Sequence, residues 1–216
     1  MIEERFLYAL DNFLRPNYFV DKSSNYELTE DTKDGKSKLL LHVKMKDNFL
    51  VAHYDCEKEH PKCNFVRQER AYHMKKCIDH FVLVKRDDVW QLHMIEMKTS
   101  VGYLTWEDIK YKFRASYLNI KALMVFLGIS VTDENIYTYT TYEKDCMNSI
   151  NNDNPKILPQ ALGGYAIDPK REWNNGYVKI PMVETKGKEQ FITVHHKKVK
   201  MKRSDENSQL EGELTI

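Results

Sequence analysis

The sequence predicts an α/β fold, read as a single domain over residues 1–203 followed by a polar, acidic tail at 204–216. Three observations predict it. Short runs rich in β-branched and aromatic residues recur between polar turns. One long stretch in their midst carries apolar residues at helical spacing. Finally, 42% of the 216 residues are apolar against 30% charged, enough to bury a core. Eight Gly and six Pro are too few for a collagen-like or Gly/Pro-rich disordered chain.

The elements follow in order. Ile2, Phe6, Leu10, Phe13 and Leu14 share one helical stripe, which Arg15-Pro16 ends. Residues 17–37 are polar and irregular. Residues 39–45 and 49–54 are β-rich, and Lys46-Asp47-Asn48 between them reads as a hairpin turn. The charged stretch 55–76 has room for a short helix around 67–75. Residues 78–85 and 89–99 are two further strands joined by a tight polar turn. Thr105 is placed to N-cap a helix over 106–127, with Trp106, Ile109, Phe113, Ser116, Ile120, Leu123 and Leu127 on one face and Gly128 as its stop. Residues 136–142 alternate as a strand, 146–176 show no period, and 177–183 and 190–199 are closing strands. The tail from Ser204 has little to bury and is expected to be disordered.

The longest apolar run, 122–129, falls far short of the roughly 20 residues that span a bilayer. No basic segment leads into an apolar leader at the N-terminus, and four Cys do not make a disulfide framework in a chain of this length. The expected setting is cytoplasmic, with no membrane partner. The net charge is +1, so any binding of nucleic acid rests on local patches. Residues 33–46 hold five Lys, and 195–203 hold Lys197, Lys198, Lys200, Lys202 and Arg203 without an acid. Each run reads as a solvated face unless a catalytic site lies nearby.

The chemistry concentrates between residues 77 and 98. If the second strand pair turns at Asp87-Asp88, so that Arg86 faces Val89, facing positions sum to 175. That register sets Asp79 opposite Glu96 on one face, with Cβ atoms about 5 Å apart. Lys98 projects from the same face about 7 Å further along. Two facing carboxylates repel unless positive charge lies between them, and Mg²⁺ characteristically binds through one or two carboxylates while keeping several waters. Such an ion acidifies a bound water and stabilises charge on a phosphoryl oxygen. An adjacent ammonium orients the water or neutralises that charge, a combination suited to phosphodiester hydrolysis. The competing reading is a strand-edge ion pair between Glu96 and Lys98. The same acid-x-Lys spacing recurs at Asp31-Lys33, Asp34-Lys36, Asp108-Lys110, Asp168-Lys170 and Glu184-Lys186, but none of these follows an apolar strand paired to another with a matching Asp.

With Asp79 at a strand start, sixteen intervening residues, Glu96-Met97-Lys98 and then an amphipathic helix, the stretch from Cys77 to about Gly128 resembles the PD-(D/E)xK, or restriction-endonuclease-like, nucleases. Ile78 stands where a Pro often precedes the Asp, a position that varies in that superfamily. The resemblance implies a central mixed β-sheet flanked by helices, Mg²⁺ or Mn²⁺ held by Asp79 and Glu96, and Lys98 orienting the attacking water. It also implies an accessory acid from an upstream helix, for which Glu3, Glu4 and Glu69 compete. In such a fold the helix after Lys98 packs beside the active strand. Of its Lys110, Lys112, Arg114 and Lys121, Lys112 and Arg114 are candidates for phosphate contacts, together with Lys197 and Lys198.

The function expected on these grounds is metal-dependent hydrolysis of nucleic acid, DNA ahead of RNA, by a homodimer or within a larger complex. The alternative is the same fold as a non-catalytic binding or assembly module, with Asp79, Glu96 and Lys98 as an ion-pair cluster. A third reading gathers Cys56, His60, Cys63 and Cys77 around Zn²⁺. Their spacing matches no standard finger or ribbon, so structural zinc is not expected. His80 and His93 alternate onto the face away from Asp79 and Glu96. The 13 Tyr, 9 Phe and 3 Trp are read mainly as core, with stacking on single-stranded bases as a further use.

Overall fold

The computed structural model describes residues 25–31, 37–45, 51–55, 76–147, 169–185, 188–204 and 209–216, and the single positions Glu4, Tyr8 and Asn12, which are helical. The remaining residues of the predicted N-terminal helix, and the helix expected around 67–75, lie outside the described residues. In chain order the strands are β1 (Asn25–Asp31), β2 (Lys38–Lys44), β3 (Val51–Asp55), β4 (His80–Arg86), β5 (Val89–Glu96) and β6 (Ser100–Val101). Helix α1 (Tyr103–Phe126) follows, then β7 (Ile136–Tyr142), β8 (Lys144–Asp145), helix α2 (Pro169–Asn174), β9 (Tyr177–Thr185), β10 (Lys188–Lys200), β11 (Lys202–Arg203) and β12 (Gln209–Thr215). The fold is mixed α/β, and mostly strand.

The expected turn closes β4 onto β5. Asp87 and Asp88 both adopt positive φ, 48° and 63°, as a two-residue hairpin turn with right-handed strand twist requires. Arg86 pairs with Val89 and His80 with Ile95, so facing positions sum to 175 along the whole ladder. β5 then runs parallel to β7, and α1 makes the crossover that parallel neighbours need. The full six-stranded sheet is ordered β3-β4-β5-β7-β10-β9, with β10 parallel to β7.

Helix α1 packs on one face of that sheet. It begins at Tyr103 with Gly102 as N-cap and no side-chain cap, three residues before the predicted start at Thr105-Trp106. A cap is worth about 1 kcal/mol. Burial of Trp106, Ile109, Phe113, Ile120 and Met124 is worth about 1.5–3 kcal/mol each, so packing decides the helix. Its end is as expected. Gly128, at φ 73°, donates to Val125 O and Ile129 N to Met124 O, the paired bonds of a Schellman closure.

The other face of the six-stranded sheet is covered by a second sheet, ordered β1-β2-β12-β11, where the resemblance implies a helix. Val82, Val84, Ile95, Tyr139 and Val199 meet Leu28, Leu39, Leu41, Val43, Leu210 and Leu214 between the two sheets. Three expectations are corrected here. β2 and β3 do not form a hairpin, because β2 pairs with β1 and β12 while β3 pairs with β4. The stretch read as irregular before residue 37 contains β1. The predicted disordered tail contains β12, which lies between β2 and β11 and buries Leu210 and Leu214. Among the described residues no helix is long and apolar enough to cross a membrane.

Candidate active site

The hairpin register carries the two acids to one place. Asp79 immediately precedes β4 and Glu96 ends β5, and both are buried, at 1% and 0% exposure. Backbone contacts fix them from several sides. Ile78 N donates to Ser116 Oγ on α1 at 2.9 Å, which seats the approach to β4 against the helix. Met97 N donates to Asp79 Oδ2 at 2.5 Å, tying the Asp to the end of β5. Lys98 N donates to Thr141 Oγ1 at 2.9 Å, which holds the segment after β5 against β7.

Two ammonium groups meet the acids. Lys98 Nζ contacts Glu96 Oε1, lies 3.7 Å from Asp79 Oδ2 and donates to Met97 O at 2.8 Å. Lys112, one of the residues assigned to phosphate contacts from the sequence, projects inward from α1. Its Nζ lies 2.6 Å from Glu96 Oε1 and 3.7 Å from Asp79 Oδ1. It therefore belongs to the acidic pair and not to an outward basic face. Burial raises the Glu96 pKa, the Asp79 carboxylate adds to the rise, and Lys98 and Lys112 oppose it. Burial works against the Lys112 ammonium, but Glu96 and Asp79 more than offset it and hold its pKa above the ordinary lysine value.

Both ammonium groups sit on the same oxygen of Glu96. Asp79 Oδ1 and Glu96 Oε2 are left buried without hydrogen bonds among the described residues. Thr140, the neighbour of Glu96 on β7 and on the same face, is also buried with its hydroxyl unbonded there. Buried oxygens are ordinarily satisfied, so these two carboxylate oxygens suit a proton donor, a water or a cation as partner. The donor set is hard oxygen, and it fits a divalent ion that takes one or two carboxylates. Among the described residues, no group of three or more His, Cys, Asp and Glu gathers as a metal site.

A groove of about 890 Å³ opens beside Lys98 and Lys112, at the carboxyl ends of the parallel strands where ligands of open α/β sheets commonly bind. Its walls include Leu39 of β2 and Ser37 just before that strand, Thr105 from α1, and Arg203. Lys98, Lys112, Lys144 and Arg203 line it against Glu30, Asp108 and Glu143, and Arg203 is paired to Glu143 at 3.0 Å.

The other predicted residues are dispersed. Arg114 packs over the Tyr111 ring at 5.1 Å. Lys110 turns to Glu172 of α2, which is fully buried and also accepts from Trp106 Nε1 and Lys179 N; this second buried acid has its partners. Lys121 donates to Tyr117. Lys197 and Lys198 fall on opposite faces of β10. Lys197 is exposed, whereas Lys198 bonds Asn174 Oδ1 at 2.9 Å and covers the Trp173 ring. Lys198 shares a row with Thr140 and Glu96, two strands away from the acid. Glu4 is exposed, and Glu3, Glu69, Cys56, His60 and Cys63 lie outside the described residues. Cys77 is partly exposed and, among the described residues, is in no disulfide. His93 is buried on the sheet–sheet side, hydrogen-bonded to the Tyr139 hydroxyl at 2.9 Å. The signal that would have marked Lys112 was present: three and four residues separate it from Ile109 and Ser116, so it sits on the edge of the buried stripe.

Compared with protein-family models, with curated proteins and with solved structures, the chain matches none.

Proposed function

We propose that the chain is a metal-dependent nuclease that hydrolyses phosphodiester bonds of nucleic acid, with Asp79, Glu96 and Lys98 as its centre. The observation that carries the reading is the pair of buried carboxylate oxygens, Asp79 Oδ1 and Glu96 Oε2, that lack hydrogen bonds beside two lysines and an open groove. When bound by Asp79 and Glu96, a divalent cation such as Mg²⁺ or Mn²⁺ supplies an acidified water and an electrophile for the phosphoryl oxygen. The protein does the rest. The groove admits the polyanion, and the lysines on its wall contact phosphate without reading sequence. Lys98, anchored on Met97 O, orients the attacking water and neutralises charge that builds on phosphorus-bound oxygen. The buried setting strengthens each of these interactions.

A cleavage panel tests this: single- and double-stranded DNA and RNA, with and without Mg²⁺ or Mn²⁺, on wild type, Glu96→Gln and Lys98→Met. Cleavage is expected to need the metal and to fall about a hundredfold or more in either variant, with circular dichroism unchanged. Equal cleavage by folded variants would refute the assignment.

One observation favours a second reading. Two carboxylates face two ammonium groups, so the cluster is charge-balanced without any ion, as in a non-catalytic binding or assembly module. Retention of nucleic acid in a gel-shift assay, with no metal-dependent cleavage of any substrate, would select it.

A further inference from the structure

We infer that Lys112 is the resident counter-ion of the Asp79–Glu96 pair, displaced when a divalent cation binds, and that its freed ammonium then serves the groove as a phosphate contact. The inference rests on the proposed metal-binding role of the two acids. Lys112 Nζ reaches both carboxylates, at 2.6 Å and 3.7 Å. An ammonium that spans both groups and a divalent ion that needs both compete for the same charge.

Lys98 differs in one respect. Its Nζ also donates to Met97 O at 2.8 Å, a partner that does not depend on the acids. Among the described residues, the hydrogen-bond and ion-pair partners of Lys112 are those two carboxylates alone. Because Lys112 also lines the groove, its displaced side chain has a destination. In the metal-free protein it holds together two buried acids that would otherwise repel, which explains a lysine on the inner edge of α1. Lys112 is thus a positioning residue for the metal, and its removal tightens metal binding even as it loosens the fold.

The experiment is titration of Mn²⁺, followed by electron paramagnetic resonance, into wild type, Lys112→Met, Lys98→Met and Glu96→Gln. With the ammonium on the acids in about nine molecules of ten, Lys112→Met binds Mn²⁺ about tenfold more tightly than wild type. Lys98→Met gains clearly less, and Glu96→Gln loses the site. Lys112→Met binding no tighter than wild type, or Lys98→Met gaining as much, overturns the inference while leaving the metal-binding reading intact. Absence of any Glu96-dependent Mn²⁺ site in wild type and in Lys112→Met overturns that reading and the inference with it. Should Lys112→Met fail to fold, amine acetylation of wild type read by mass spectrometry decides. Lys112 is protected without Mn²⁺ and labelled with it, and labelling that ignores Mn²⁺ overturns the displacement.

Discussion

Burial determines how the interior titrates, and it acts on histidine as well as on Glu96. His93 and His196 are each held down to about 3, chiefly by burial, with Arg86 and Lys198 respectively adding to the effect. His196 packs among Trp106, Trp173 and Phe113 and meets Thr138 Oγ1 at 3.0 Å. In the unfolded chain both imidazoles return to about 6.5. Between that value and about 3, the unfolded chain holds protons that the folded chain refuses. Stability is therefore undiminished above about pH 6.5 and falls as the solution becomes more acidic, by roughly 2 kcal/mol per histidine at pH 5 relative to pH 7. Glu96, whose pKa is raised, works in the opposite sense, so the histidine contribution is best read by difference. Urea unfolding at pH 7 and pH 5 should show a lower midpoint in acid for wild type and a smaller drop in His196→Gln. An equal drop in both would mean that the folded protein accepts the proton on His196.

The β4–β5 hairpin is the element on which the site depends, because a slip of one residue would send Glu96 to the opposite face. Its turn is built from two non-glycine residues at positive φ. Asp88 is exposed, and its ion pair with Lys85 at 2.9 Å carries little energy in water. Glycine accepts this backbone without steric cost, and Asp-Gly is a favoured sequence for such a turn. Asp88→Gly should raise stability by about 0.5–1 kcal/mol, measured as a higher urea midpoint, and leave any metal-dependent cleavage as it was. A lower midpoint would show that the Lys85 pair outweighs the backbone strain. This hairpin was legible in the sequence because its signals are local: two apolar strands, a two-residue polar turn and a parity that does not depend on the rest of the chain. Its consequence, Asp79 beside Glu96, was legible for the same reason. Lys112 was not placed with them, since its distance from Glu96 depends on how α1 seats against the sheet. The false hairpin between β2 and β3 failed on a non-local fact. β2 takes its partners from β1 and from β12, at the far end of the chain, and neither is signalled by the turn-like sequence Lys46-Asp47-Asn48.

At the scale of the whole molecule, the C-terminal strand is the piece whose composition misled most. Gln209, Glu211, Glu213 and Thr215 read as a polar tail, yet Leu210, Gly212 and Leu214 alternate with them as the buried positions of β12, and Ile216 just after it is buried too. β12 is interior to its sheet, parallel to β2 on one side and antiparallel to β11 on the other. It lies beside β2, with Gly212 opposite Leu41 and Leu214 opposite Val43, and Leu39, Leu41, Val43, Leu210 and Leu214 all belong to the sheet–sheet core. Burial of Leu210, Leu214 and Ile216 is worth about 1.5–3 kcal/mol each. Their sum takes up most of the 5–15 kcal/mol by which a domain is ordinarily stable. A chain ending at Ser204 should therefore lose its cooperative urea transition or unfold at a much lower midpoint, with exposed apolar surface and unpaired β2 driving association in size-exclusion chromatography. The effect should reach the groove as well, because Glu30, Leu39 and Arg203 of its wall belong to the sheet that β12 holds together, although Asp79 and Glu96 lie at the other sheet. A truncated chain with the wild-type midpoint would mean that the six-stranded sheet and its helices stand alone, and that the second sheet contributes a wall to the groove but little to the fold.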